Sequence, residues 1–291
     1  YERAALSINT SGHSGLSFYN TNESIEYMMT NAGMSDIRTY DGGGYASWLS
    51  NRLDEGILYL NHRDWSGGGS FNSNQIDNAN NGYKLPFVTL ITCWTNYFNA
   101  IDGIDVPFDE YDIGEYLVKA GSVNFPRGGI AAVGMAGSTH TLFNNIIAMG
   151  MYHGIFVNNT VSAGGALFEG KLAFMNAYPD MENNPSGCNE VENYFYMTNL
   201  MGDAALELWT DTPETMIIDH PEIIQFGSNL VSISIVDTNL NPVSDVQITL
   251  LKQDGNIEDI FLSDFTNESG LVEFGLDYNT TGEIILTARK H

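Results

Sequence analysis

Three stretches of this chain each end an apolar run on a residue able to do covalent or proton-transfer chemistry. "GILYLNHRDW" passes from Leu58-Tyr59-Leu60 to His62, followed by Arg63 and Asp64. "FVTLITCWTNYF" ends on Cys93, with Trp94 next to it, and "GGIAAVGMAGSTHT" runs out into Ser138, Thr139 and His140. A thiol beside an imidazole is the minimum nucleophilic pair: the imidazole favours the thiolate, and the thiolate attacks a carbonyl carbon. Taken singly, a cysteine closing an apolar run is a small buried hydrophobe, and a histidine at a loop mouth or before a helix is an ordinary polar residue. Only a fold that brings the three runs to one edge raises them above that. Cys188 sits in "NNPSGCNE", a loop that no strand delivers.

The elements needed for such convergence are legible. Short continuous apolar runs at 4–8, 36–40, 56–61, 87–92 and 128–135 suit strands covered on both faces. Amphipathic or apolar segments at 22–33, 45–53, 110–121, 141–158 and 164–178 read as helices, the first capped by Asn22 and stopped by Gly33. This alternation predicts an α/β fold over residues 1–215, a mostly parallel sheet with helices on both faces. In such a sheet ligands bind outside the carboxyl ends of the strands, where His62, Cys93 and the Ser138–His140 stretch are expected. "LWTDTPETMIIDHPE" (208–222) reads as a linker. Residues 222–291 then hold five Ile-, Val- and Leu-rich strands separated by "NLNP", "QDGN", "NESG" and "YNTTG". They predict a small all-β, immunoglobulin-type sandwich, shorter than the usual ~100 residues, acting as a spacer or stabilising module.

Charge narrows the partners. With 11 Lys+Arg against 36 Asp+Glu, the formal balance is -25, which repels a phosphate backbone and attracts cations and basic polypeptides. No apolar run reaches the ~18 residues needed to span a bilayer. The opening "YERAALSI" already reads as a strand, so a processed or excised piece is expected. Asp102, Asp105, Asp109 and Glu110 in "DGIDVPFDEYD" are the calcium candidates, with "DMENN" (180–184) a second cluster, because hard cations take several carboxylates and carbonyls. "SGHSGLS" (11–17) lacks the lysine and glycine spacing of a phosphate loop.

The blocks "NHRDW…NGYKLPFVTLITCWTNYF", "GEYLVKAG…PRGGIAAVGMAGSTHTLFNN" and "NLMGDAALELWTDTP", in that order, resemble the gingipain-type cysteine peptidases of family C25. The resemblance implies a caspase-like sheet with a catalytic histidine ending one strand and a catalytic cysteine ending the next, followed by an Ig-like domain. It also implies bacterial secretion, structural calcium with no cofactor for the chemistry, and an amino-terminal subdomain or propeptide as partner. The family's histidine is usually followed by glycine; here Arg63 and Asp64 follow His62. Some relatives read Asn-Tyr-Arg-Gly at this place, which would set His62 opposite a tyrosine and leave His140 as the base. His62 is the preferred partner of Cys93, with His140 the alternative.

The expected chemistry is endopeptidase acyl transfer through a thioester. Cys93 Sγ attacks, a histidine protonates the leaving amine, and N–H groups at Cys93 and just after His62 hold the oxyanion. Trp94, Ser138, Thr139, Arg63 and Asp64 are the candidates for the substrate pocket, with ordinary packing the alternative for Trp94, Ser138 and Thr139; Asp64 could orient the imidazole, but a solvated loop acid is the favoured reading. The competing expectations are a catalytically silent binding, adhesion or surface-anchoring relative, and a transpeptidase.

Overall fold

The computed structural model describes residues 3–8, 15–42, 44–64, 71–97, 113–181, 190–211, 214–254, 257–278 and 280–290. The chain forms two compact units, Tyr1–Thr212 and Pro213–His291.

In the first unit, β1 (Arg3–Ile8), α1 (Gly15–Asn31), β2 (Asp36–Tyr40), α2 (Tyr45–Glu55), β3 (Tyr59–Arg63), α3 (Ser73–Asp77), β4 (Phe87–Leu90) and α4 (Ile113–Lys119) follow in order. A two-residue hairpin of β5 (Gly121–Ser122) and β6 (Phe125–Pro126) precedes β7 (Ala131–Met135). Then come α5 (Thr141–Phe156), α6 (Ala163–Ala177), a 3₁₀ turn (Pro179–Met181), α7 (Glu190–Met197) and β8 (Thr198–Met201). Six strands form one sheet in the order β2-β1-β3-β4-β7-β8. All pairs are parallel except β7 with β8.

The sheet is covered on both sides, which is why its strands read as unbroken apolar runs rather than alternating ones. Ala4, Leu6, Tyr59, Phe87 and Val133 pack with α1, α5, α6 and α7. Ala5, Leu60, Val88, Leu90 and Ala132 pack with α2, α3 and α4. The apolar helix α5 lies close against α6: a Cβ added to Gly150 would meet Ala173 Cβ at 2.5 Å and Gly170 Cα at 3.0 Å. Glycine lets the two backbones approach.

The expected strands and helices are present with shifted ends. The first helix starts at Gly15, not Asn22, whose side chain inside α1 accepts from Asn61 Nδ2 at 2.7 Å. Strand β3 runs on to Arg63, which pairs with Ile8 of β1, so His62 lies within the strand rather than beyond it. The fourth expected strand stops at Leu90. The short helix α3, the β5–β6 hairpin, α7 and the antiparallel edge strand β8 had no counterpart in the sequence reading.

The second unit holds two three-stranded sheets. One pairs β13 (Leu271–Tyr278), β10 (Gly227–Val236) and β9 (Ile217–Asp219); the other pairs β12 (Ile257–Phe265), β11 (Gln247–Asp254) and β14 (Ile285–Arg289). All these pairs are antiparallel. Val231, Ile233 and Phe274 of one sheet share a core with Ile248, Leu250 and Ile260 of the other, which makes a sandwich. Strand β9 lies in the stretch read as linker, where Ile217 and Ile218 pair with Val236 and Ile235.

Candidate active site

The cysteine is placed by a sharp exit from β4. Thr92 N–H turns back to Leu90 O at 2.8 Å. Trp94 then adopts φ 56°, a left-handed conformation that a bulky residue holds only when its surroundings over-determine it. The following residues are pinned to β7. Thr95 N–H and Asn96 N–H donate to Met135 O at 3.0 and 3.1 Å, and Trp94 N–H to Gly137 O at 3.2 Å. Thr95 Oγ1 donates to Leu90 O at 2.6 Å and accepts from Met135 N–H at 3.1 Å. Gly134 makes room for this loop, since a Cβ there would lie 2.5 Å from Thr95 Oγ1.

Cys93 is a free, half-buried thiol. Its Sγ accepts from Thr139 N–H at 3.2 Å and lies 3.4 Å from Thr139 Oγ1. That hydroxyl accepts in turn from Asn144 Nδ2 at 2.8 Å. Trp94 Nε1 donates to Ser138 Oγ at 3.2 Å, and its ring meets Tyr97 edge-on at 5.1 Å. Cys93, Trp94, Ser138 and Thr139 therefore come together, as the run-ending positions implied.

The two histidines lie apart from this cluster's sulfur. His62 has no exposed surface and turns to the α2 side of the sheet. Its Nδ1 is 2.7 Å from Ser7 Oγ, its ring packs on Tyr45 at 4.6 Å, and its Nε2 is 3.5 Å from Asp64 Oδ2, beyond hydrogen-bond length. Asp64 Oδ2 instead accepts from Tyr45 Oη at 2.5 Å, and the Asp64 carbonyl accepts from Thr92 Oγ1. His140 is exposed and caps α5, its Nδ1 accepting Leu142 N–H at 3.3 Å and its ring resting 5.3 Å from Phe143. His140 N–H donates to Tyr194 Oη, and burial pushes that phenol up to about 12. Among the described residues, neither imidazole contacts Cys93 Sγ.

Strand alternation sends Arg63 to the other face from His62. Its side chain is wholly buried, with the guanidinium 5.0 Å over the Phe18 ring and Nη2 donating to Asn145 Oδ1 at 2.5 Å. Its Nε and Nη1 have no hydrogen-bond partner. The sequence reading had made Arg63 a pocket residue and overlooked Asn144, Asn145, Ser7 and Tyr194. One signal was available: "FNNIIAMG" places two adjacent amides in an otherwise apolar helix, and buried amides need partners. Asp102, Asp105, Asp109 and Glu110, Cys188 and residues 182–184 of the second acidic cluster lie outside the described residues. Among the described residues no group of three His, Cys, Asp or Glu side chains is arranged to hold a metal ion, and no helix is long and apolar enough to cross a membrane.

Comparison with solved structures shows the same fold in gingipain R, the Arg-specific cysteine proteinase. Its TM-score is 0.71 and its identity 19%, over 99% of this chain and 64% of that one. The complex of the pro- and mature domains of Porphyromonas gingivalis RgpB gives TM-score 0.70 and 17% identity, over 100% of this chain and 66% of that one. A third structure, described only as a protease, gives 0.65 and 15%, covering 98% and 64%. The chain thus spans about two thirds or less of each solved relative's length. No curated protein sequence matches it. The sequence profile of peptidase family C25 matches residues 8–209, the span that holds Cys93, both histidines and every strand of the sheet except β1. The chain belongs to peptidase family C25, the gingipain-like cysteine peptidases.

Proposed function

We propose that this chain is a secreted cysteine endopeptidase whose nucleophile is Cys93. The observation that carries this reading is the free thiol at the carboxyl edge of the sheet, held by the Thr139 N–H at 3.2 Å beside a strained Trp94. In the proposed reaction Cys93 Sγ bonds to the scissile carbonyl carbon, with the Cys93 N–H facing the oxyanion. The C–N bond breaks, the amine leaves with a proton from a histidine, and water hydrolyses the thioester. His140 serves as that proton donor in this proposal. It is exposed and directly follows Thr139, whereas His62 is closed between Ser7 and Tyr45. His62 then has a packing role beneath the site.

Around this chemistry, Trp94, Ser138 and Thr139 form the wall against which a polypeptide lies. The balance of -25 favours basic segments in the substrate. The likeness to a pro- and mature-domain complex supports an amino-terminal propeptide as a partner. The sandwich unit is assigned to the Ig-like class and the acid-rich segment 102–112 to structural calcium, both outside the chemistry. The test is cleavage of a mixed peptide library by the full chain, with products identified by mass. Cleavage that disappears in Cys93→Ala supports the reading, and adducts formed with added amines would make the reaction transpeptidation. One observation favours a second reading, a catalytically silent binding relative: neither imidazole touches the thiol. No cleavage by the wild-type chain, with peptides still bound, selects it.

A further inference from the structure

The group near Cys93 that packing explains least is Asn144. It stands one turn into α5, where its N–H closes on His140 O at 3.0 Å, and it is only 3% exposed. Neighbouring Phe143 packs on Phe174, Tyr178 and Tyr194, which fixes this first turn in place. Asparagine is a poor helix former, and a buried amide costs stability unless its hydrogen bonds are made. Here Oδ1 has no partner, and Nδ2 donates to one group, the Thr139 hydroxyl at 2.8 Å. A leucine would fill the same space without orphaning an oxygen.

Thr139 in turn surrounds the sulfur. Its N–H donates to Cys93 Sγ at 3.2 Å, and its carbonyl accepts from the Cys93 thiol at 3.4 Å. Its Oγ1 lies 3.4 Å from the same sulfur. The thiol has a single proton and the carbonyl takes it, so across the Oγ1–Sγ contact the hydroxyl is the donor. Asn144 Nδ2, itself a donor, keeps the hydroxyl proton turned away from α5.

We infer that Asn144 is a positioning residue of the cysteine site: by donating to the Thr139 hydroxyl it turns that hydroxyl's proton onto Cys93 Sγ, which Thr139 then grips with its N–H and O–H together. This deepens the reading of Cys93 as the nucleophile and rests on it. Asn144 acts only through Thr139. What the grip supplies is orientation, since attack needs the sulfur held ~3–3.5 Å from the scissile carbonyl and aligned with it. The competing acceptor is Tyr194 Oη, which also meets the Thr139 side chain. That phenol already takes the His140 N–H and turns toward His140 O at 3.5 Å.

The test is the infrared S–H stretching band of the full chain in a Cys188→Ala background, which leaves Cys93 as its one thiol. It is read beside kcat and KM on one cleaved peptide. Linked hydrogen bonds polarise one another, so removing a donor from the sulfur weakens its S–H···O bond and moves the band to higher wavenumber. Thr139→Val, at a half-buried position, should give that shift, and Thr139→Ser should reverse it. Asn144→Asp keeps the shape but accepts the hydroxyl proton, so the band should move as in Thr139→Val. The double variant should move it no further. Asn144→Leu buries no charge and should give part of the shift, so it decides if the aspartate variant does not fold by circular dichroism. In the same variants kcat should fall by up to about 10²-fold, with KM little changed. A band unmoved in the folded Asn144 variants overturns the inference, and so does a moved band with kcat unchanged. The band needs no peptide cleavage. A shift in a chain without peptidase activity would keep the grip and reject the proposed function, while an active peptidase with an unmoved band would do the reverse.

Discussion

The sharpest consequence of the geometry is a separation of roles between the two histidines. His62→Ala removes a buried ring that meets Ser7 Oγ at 2.7 Å and packs on Tyr45 at 4.6 Å. Orphaning the Ser7 hydroxyl in a site without water access costs about 1–3 kcal/mol, and losing the ring contact about 0.5–1.5 kcal/mol. With the residual cavity added, the whole reaches about 3–5 kcal/mol. For a unit of this size each kcal/mol lowers the melting temperature by roughly 2–4 °C, so the first transition should fall by about 6–20 °C. His140→Ala loses only a weak cap at 3.3 Å on an exposed residue, about 0.5–1 kcal/mol. Its rate cost as a proton donor should instead be on the order of 10² to 10⁴. The assay pairs differential scanning calorimetry with kcat/KM on one cleaved peptide, measured well below each variant's melting point. A folded His62→Ala chain as inactive as Cys93→Ala, beside a fully active His140→Ala, would refute this assignment and return the proton donor to His62.

Three further outcomes follow from the same structure. Cys93→Ala should abolish peptidase activity while Cys188→Ala leaves it largely intact; equal losses would indicate that the two act together, as in a disulfide. Gly134→Ala forces a methyl to within 2.5 Å of Thr95 Oγ1, an overpacking that costs about 1–3 kcal/mol. Because Thr95 anchors the loop that carries Cys93, kcat should fall more than the melting temperature alone explains. Excess chelator should lower the melting temperature by several degrees, because a cation bound to the native state adds RT ln(1 + [L]/Kd); an unchanged curve would remove calcium from the account.

Sequence pattern alone settled which segments are sheet and which are helix wherever the signal is local. The runs Ala4–Ile8, Phe87–Leu90 and Ala131–Met135 are apolar because both faces of the sheet are covered. Five of the six strands of the sandwich are likewise bounded by their own turn residues. Edges and partners were less legible. The strand Ile217–Asp219 hid between prolines, and Thr198–Met201 has no alternation of its own because it is an edge strand fastened through β7. The position of Cys93 near the exit of an apolar run could be read directly. Its environment could not.

What the tertiary structure decided is which way each candidate points. The apolar run ends at Leu60, so the sequence suggested that His62 lies beyond the strand and free to turn toward Cys93. Pairing with β1 carries β3 on to Arg63 opposite Ile8, and in a strand successive side chains take opposite faces. That continuation sends His62 to the α2 layer and Arg63 to the α5 layer. The partners waiting there, Ser7 and Tyr45 on one side and Asn145 and Phe18 on the other, come from remote parts of the chain. Local composition determined that a thiol, two imidazoles and a guanidinium gather near one end of the sheet. Long-range strand register determined that His62 and Arg63 take opposite faces of the sheet and so meet different partners.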